Sequence, residues 1–292
     1  MDQGLMLRLA FERGETYSSN EICHLLGESK LVTRLTKDFI PHPLFAAFRL
    51  MGLSEIPYTE TLQYTQKLLS YIEENISVSG GFSPLGGVEE LVPCYNAMTF
   101  ESYCRLGLAD SKSAQASLSW IKQYQLFGRD EVTSWPYDGV CKHGGCLGKI
   151  PCYIGIGKTV RALITYAKAT NHNDSEVEQL IEIGINYMLR HNLFQRLTDK
   201  KPISAHITDI MMPQSYALSL TDLVYIVGEA NLSGKPASQA LFTLLKEKEI
   251  ASHQWKIDYI YSYKGYVSFE GRRKASEWIS NLFPVWLGKK QL

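Results

Sequence analysis

Pro93-Cys94-Tyr95, continued by Asn96-Ala97-Met98-Thr99-Phe100-Glu101-Ser102-Tyr103-Cys104-Arg105-Leu106-Gly107, is the stretch on which the fold turns. Proline suits the first turn of a helix, because the N–H it lacks would be unpaired there anyway. Met98, Phe100, Tyr103 and Leu106 then recur at helical spacing over 97–108. The same opening returns as Pro151-Cys152-Tyr153, ahead of a helical pattern over 160–169 with Leu163, Ile164 and Tyr166. A looser version, Pro213-Gln214-Ser215-Tyr216, opens a third helix over 216–227 with Leu220, Leu223, Val224 and Val227.

Working outward, each of these helices runs into a short polar break at 107–111, 171–175 or 231–236. Ser111, Asp174 and Ser233 are the N-cap residues expected to start the next helix. Those second helices rhyme: Ser70-Tyr71-Ile72-Glu73, Ser119-Trp120-Ile121-Lys122, Asn186-Tyr187-Met188-Leu189 and Thr243-Leu244-Leu245-Lys246. An earlier hairpin joins 45–51 to 59–75 through Gly52-Leu53, and a last helix covers 275–287. One hairpin recurs per roughly 50–65 residues, the signature of stacked supersecondary units, none of which buries its apolar face alone. The pattern predicts an all-α chain of repeated helical hairpins in two concentric layers. They close into an α/α toroid with the proline-started helices inside. One domain spans 1–292, with 1–40 as an N-terminal helical extension. Only 259–269 alternates like a strand, and it reads as a hairpin or loop.

The chain has 292 residues, 45% of them hydrophobic, enough for a large core. Lys plus Arg (30) equals Asp plus Glu (30), so the formal charge is zero. That removes the electrostatic case for a nucleic-acid or anionic-membrane partner. No apolar stretch is long enough for a membrane span. Residues 1–13 carry Asp2, Arg8, Glu12 and Arg13, which spoils the clean apolar centre of a signal peptide. A cytoplasmic chain is expected, in which the six cysteines serve in metal binding, reactivity or burial rather than disulfides.

The densest chemistry lies in Trp135-Pro136-Tyr137-Asp138-Gly139-Val140-Cys141-Lys142-His143-Gly144-Gly145-Cys146, ending at Cys152. Thiolate and imidazole are the ligands zinc prefers, and Cys141-x-His143-x-x-Cys146 lets a glycine turn bring three of them to one point. Cys152 starts a helix, where unpaired N–H groups favour a thiolate. Cys94 holds the equivalent place one repeat earlier. Cys141, His143, Cys146 and Cys152 are therefore candidate Zn2+ ligands; a metal-free cysteine nucleophile and plain buried thiols are the alternatives. Asp222, inside an apolar helix, is a candidate general acid, base or cation stabiliser, or the partner of a neighbouring polar side chain. Arg272-Arg273-Lys274 is either a diphosphate grip or a solvated charge run.

Gly80-Gly81-Phe82, the proline-started helix, Ser119-Trp120-Ile121-Lys122-Gln123-Tyr124-Gln125 ahead of Asp138-Gly139, and Gln254-Trp255-Lys256 together resemble the repeat of the squalene cyclase and protein prenyltransferase β-subunit (terpenoid cyclase-like) superfamily. The resemblance covers about residues 40–290 as a repeat pattern. It implies an enzyme acting on an apolar, isoprenoid-type substrate in a central aromatic cavity, with Tyr95, Tyr153 and Tyr216 as substrate-binding residues. The prenyltransferases hold catalytic zinc with Asp, Cys and His near inner-helix starts, a set that Asp138, Cys141, His143, Cys146 and Cys152 resemble in residue type. Cys141-Lys142-His143-Gly144 is also similar to the Cys-His-Gly context of the lanthionine cyclases. The Asp-x-Asp-Asp string of the class II cyclases is absent. Two other functions remain: a zinc-thiolate enzyme modifying a peptide or thiol, and a non-catalytic helical-repeat binding protein.

Overall fold

The computed structural model describes residues 1–137 and 146–288. Among them are twelve α-helices and one two-stranded hairpin, so the chain is mostly helical. No helix among the described residues is long and apolar enough to cross a membrane.

The helices fall into two kinds by burial. α4 (Pro43–Ser54), α6 (Pro93–Arg105), α8 (Tyr153–Ala169) and α10 (Leu220–Glu229) bury residues on every face. A helix buried all round is a core element. α5 (Gln63–Asn75), α7 (Lys112–Tyr124) and α9 (Ser175–Arg190) each bury one stripe; in α9 it is Val177, Ile181, Gly184, Ile185 and Met188. α4 packs on α6, α6 on α8 and α8 on α10, while α5, α7 and α9 cover α4, α6 and α8 in turn. Burying a side chain such as Phe100 or Met98, both without exposed surface, contributes about 1.5–3 kcal/mol.

The expected starts hold where local chemistry decides them. Pro93 sits in the first turn of α6, and Cys152 is the N-cap of α8; α4 starts at Pro43, two residues ahead of the expected 45. Ser111 caps α7 through the N–H of Ala114, and Asp174 caps α9 through that of Val177. The third repeat differs. Pro213 does not open a helix: it follows a cis peptide, and α10 begins seven residues later at Leu220. Ser219 and Asp222 form a reciprocal capping box there, each side chain bonding the other's backbone N–H, and this fixes the start. Ser233 is likewise no cap; a 3-10 turn at Pro236–Ser238 leads into α11 (Gln239–Lys248).

The first 40 residues form α1 (Gln3–Glu12), α2 (Ser19–Glu28) and α3 (Lys30–Thr36). α1 packs against α3 and against α12 (Glu277–Leu287), which also packs on α10. α3 packs on α4. Leu5 and Leu7 have no exposed surface, so this segment belongs to the core.

Two connections matter for the site. β1 (Ser77–Val78) pairs antiparallel with β2 (Gly81–Phe82). Asn96 on α6 clasps this turn, accepting the Phe82 N–H at 2.8 Å and donating to the Gly80 carbonyl at 3.1 Å. Gly81 has φ +109°, and a Cβ there would lie 2.4 Å from Asn96 Oδ1 and 2.6 Å from Ser117 Cα, so only glycine fits. The stretch 259–269 is neither strand nor helix. It is a mostly half-buried loop, held by Arg49 Nε to the Gly265 carbonyl and by the Phe269 N–H to the Met212 carbonyl.

Candidate functional site at the starts of the inner helices

Cys94, Cys146 and Cys152 gather where α6 and α8 begin. Cys94 is buried; Cys146 and Cys152 are half-buried. The backbone joins the latter two, the Cys152 N–H reaching the Cys146 carbonyl at 3.2 Å. Their side chains also meet: the Cys146 thiol hydrogen-bonds to Cys152 and lowers its pKa from 9.0 to about 6. The N–H groups of Ile154 and Gly155 in the first turn of α8 add to this against the opposing effect of burial. Cys94 behaves the other way. Burial, with the nearby Cys152 adding to it, pushes its thiol up to about 12. One cysteine of the cluster is thus poised as a thiolate at neutral pH and its neighbour is held as a thiol.

An aromatic wall stands beside them. Tyr95 follows Cys94 on α6 and meets Phe48 of α4 edge-on at 6.0 Å. Tyr261, on the 259–269 loop, lies 5.2 Å from Phe48, 5.4 Å from Tyr216 and 5.5 Å from Tyr266. Tyr216 and Tyr263 are 39% and 41% exposed, so the wall reaches the surface. Met51 and Met98 close its inner side. Of the three tyrosines expected to bind substrate, Tyr95 and Tyr216 share this wall. Tyr153 does not: it is buried against Tyr187 and His191 of the outer layer, and its hydroxyl donates to the Leu193 carbonyl at 2.6 Å.

Two helical turns deeper the chemistry changes. Arg161 of α8 donates from Nε to both Glu101 oxygens at 3.0 Å, from Nη1 to Asp222 at 2.8 Å and from Nη2 to Glu55 at 2.9 Å. Lys158 binds Asp222 at 2.9 Å and Gln214 at 3.2 Å. Arg8 of α1 reaches Glu55 at 2.6 Å and Glu12 at 2.8 Å, and Arg105 pairs with Glu101. Four cations thus meet four carboxylates. Burial pushes Glu55 up, but Arg105, Arg8 and Arg161 outweigh it and hold the carboxyl at about 2. Asp222 is also lowered: burial raises it, while Lys158 and Arg161 prevail. Asp222 has no exposed surface, and both its oxygens are committed, to Lys158, Arg161 and Ser219. It lies inside this network and also caps α10. Paired charge therefore lies between α6, α8 and α10 at this level.

Asp138, Cys141 and His143 lie outside the described residues. Among the described residues no group of three or more His, Cys, Asp and Glu side chains is arranged to hold a metal ion. The donors that are described, two touching thiols with one lowered, are of the type zinc takes. Sequence reasoning missed Glu55, Glu101, Lys158 and Arg161. Their signal was present: charged residues interrupt otherwise apolar helices, as Glu101 does after Phe100. The chain matches no protein-family model, no curated protein and no solved structure.

Proposed function

We propose that the chain is an α/α toroid of helical hairpins in two layers, and that it works as a thiolate enzyme at the end of the toroid where the inner helices begin. The contact between Cys146 and Cys152 beside the tyrosine wall carries this reading. A half-buried thiol pair at a helix start provides the surroundings that a sulfur nucleophile needs. Cys152 is the attacking sulfur, Cys146 its hydrogen-bond donor, and Tyr95, Tyr216 and Tyr261 the surface for the apolar part of the substrate. The thiolate forms a bond to an electrophilic carbon of the substrate, whose leaving group departs with the electron pair. A second nucleophile, water or an acceptor thiol, then bonds to that carbon, and the C–S electron pair returns to Cys152 as thiolate. The reading keeps the apolar substrate of a prenyltransferase-like enzyme but moves it from the middle of the helices to their starts, because the middle is occupied by ion pairs. Free thiols fit a reducing, cytoplasmic setting.

A zinc-assisted version is favoured by the Cys141-x-His143-x-x-Cys146 spacing. Cys146 and Cys152 would then hold the ion with Cys141 and His143, and the metal would supply Lewis-acid activation of a thiolate. One experiment separates the two: metal analysis of the purified protein, paired with the pH profile of iodoacetamide labelling at Cys152 read by mass spectrometry. Labelling with a midpoint near 6 and no metal supports the free nucleophile. Stoichiometric zinc with both cysteines protected supports the zinc version. No metal and a midpoint near the ordinary thiol value of about 8.5 would sink both.

A further inference from the structure

The other end of the inner helices, where α4, α6 and α8 finish, holds a pocket of about 160 Å³. Arg8, Arg105, Lys168, Glu12, Thr165 and Tyr225 line it. Cations are expected there, since helix C-termini carry partial negative charge. The guanidinium groups nevertheless hold more donors than their protein partners use. Arg8, with 2% of its side chain exposed, commits Nε to Glu12 and Nη1 to Glu55; its Nη2 is buried with no hydrogen-bond acceptor. Arg105 donates from Nε to Glu101. Its Nη2 lies 2.8 Å from the same carboxylate but out of line, and is likewise buried without an acceptor. A buried donor left unpaired costs stability, more so on a charged group.

Two guanidinium groups beside a pocket, each with a buried Nη2 that makes no hydrogen bond, suit the oxygens of a carboxylate or phosphate. Lys168 stands at the rim, 40% exposed, 2.7 Å from Glu229 and 3.9 Å from Glu12, close enough to turn onto a bound anion. Phe11, Pro57 and Cys104 add an apolar side. The volume is well below the roughly 300–1,000 Å³ of drug-sized ligand sites, which excludes a nucleotide and leaves room for one acidic group on a few carbons. We propose that this pocket binds a small oxyanion, a carboxylate or phosphate on a short carbon body, gripped by Arg8 and Arg105 and covered by Lys168. The pocket is separate from the cysteine cluster, and the proposal does not depend on the thiolate reading.

The test is titration of the full chain with propionate and, separately, inorganic phosphate at fixed ionic strength, followed by calorimetry and thermal melting, with chloride as the control. At least one probe is expected to bind saturably and raise the melting temperature. Lys168→Gln, a change at an exposed position that leaves the fold intact, is expected to weaken that binding about tenfold, as loss of one charge-assisted hydrogen bond does. Arg105→Gln is expected to abolish it, its folding checked by circular dichroism. Absence of saturable binding by both probes up to about 50 mM, a very weak affinity, overturns the proposal. So does binding that Lys168→Gln leaves unchanged.

Discussion

Cys94 and Glu101 lie on one helix, α6, about two turns or 10 Å apart along its axis. Cys152 and Arg161 are separated in a similar way at the start and in the body of α8. The two levels are both polar, yet they are composed differently. The deeper one is charged, and it is fully paired at its centre: each of Arg161's three nitrogens has a carboxylate, and those carboxylates come from three other segments. The upper one is uncharged apart from the lowered Cys152, which is held by hydrogen bonds from Cys146 and from the Ile154 and Gly155 N–H groups, and it is open to the surface through Tyr216 and Tyr263. Buried paired charge holds helices in register, whereas a half-buried thiolate near the surface can meet a substrate. The same helices therefore separate framework from chemistry along their length.

The largest effect should come from the deeper level. Arg161→Met leaves Glu55, Glu101 and Asp222 buried without their shared cation, and breaking a buried pair on one side costs about 3–5 kcal/mol. Urea unfolding should show it, and a loss below about 1 kcal/mol would mean the network is not what holds the helices. The pH response comes next. Glu55 falls from 4.5 in the unfolded chain to about 2 in the folded one, so it binds its proton more weakly when folded. Its contribution is then fully present above about pH 4.5 and is lost as the pH falls toward 2. Glu12 and Asp222 shift in the same direction. The urea midpoint should drop across that window, and Glu55→Gln, less stable at neutral pH, should show a shallower drop. The smallest effect should come from the upper level. Cys152→Ser exchanges one small half-buried group for another, and its stability should stay within about 1 kcal/mol of the original. A larger loss would make that thiol part of the framework and erase the contrast.

The hairpin repeat was legible because its signals are local. A proline in a first turn, or Ser111 and Asp174 three residues before the N–H they cap, can be read without knowing what lies across the core. The start of α10 was harder to read, since Asp222 fills a capping box and an ion-pair network together, and a carboxylate in an apolar helix suggests catalysis first. The network itself was out of reach. Arg161 meets Glu55 across 106 positions and Asp222 across 61, and no spacing rule links such residues. The same holds for the tyrosine wall. Tyr261 and Tyr263 sit in a stretch that alternates like a strand, but Arg49 donating to the Gly265 carbonyl and the Phe269 N–H donating to the Met212 carbonyl hold it as a loop. Cys94 and Cys152 lie at the starts of α6 and α8, which the recurring Pro-Cys-Tyr string marks in the sequence.

Arg8 has one more consequence, for the order in which the molecule can be made. It belongs to the first helix, yet its guanidinium binds Glu55 and lies 5.9 Å from the ring of Trp286 in the last helix. During synthesis α1 leaves the ribosome long before α12 exists. Until then its buried face, with Leu5 and Leu7, has only part of its covering. Contacts of such long sequence separation make folding slow and leave early segments in need of protection. α12, synthesised long after α1, thus completes its environment, and a nascent chain halted before α12 would carry a cation and an apolar face that await that helix.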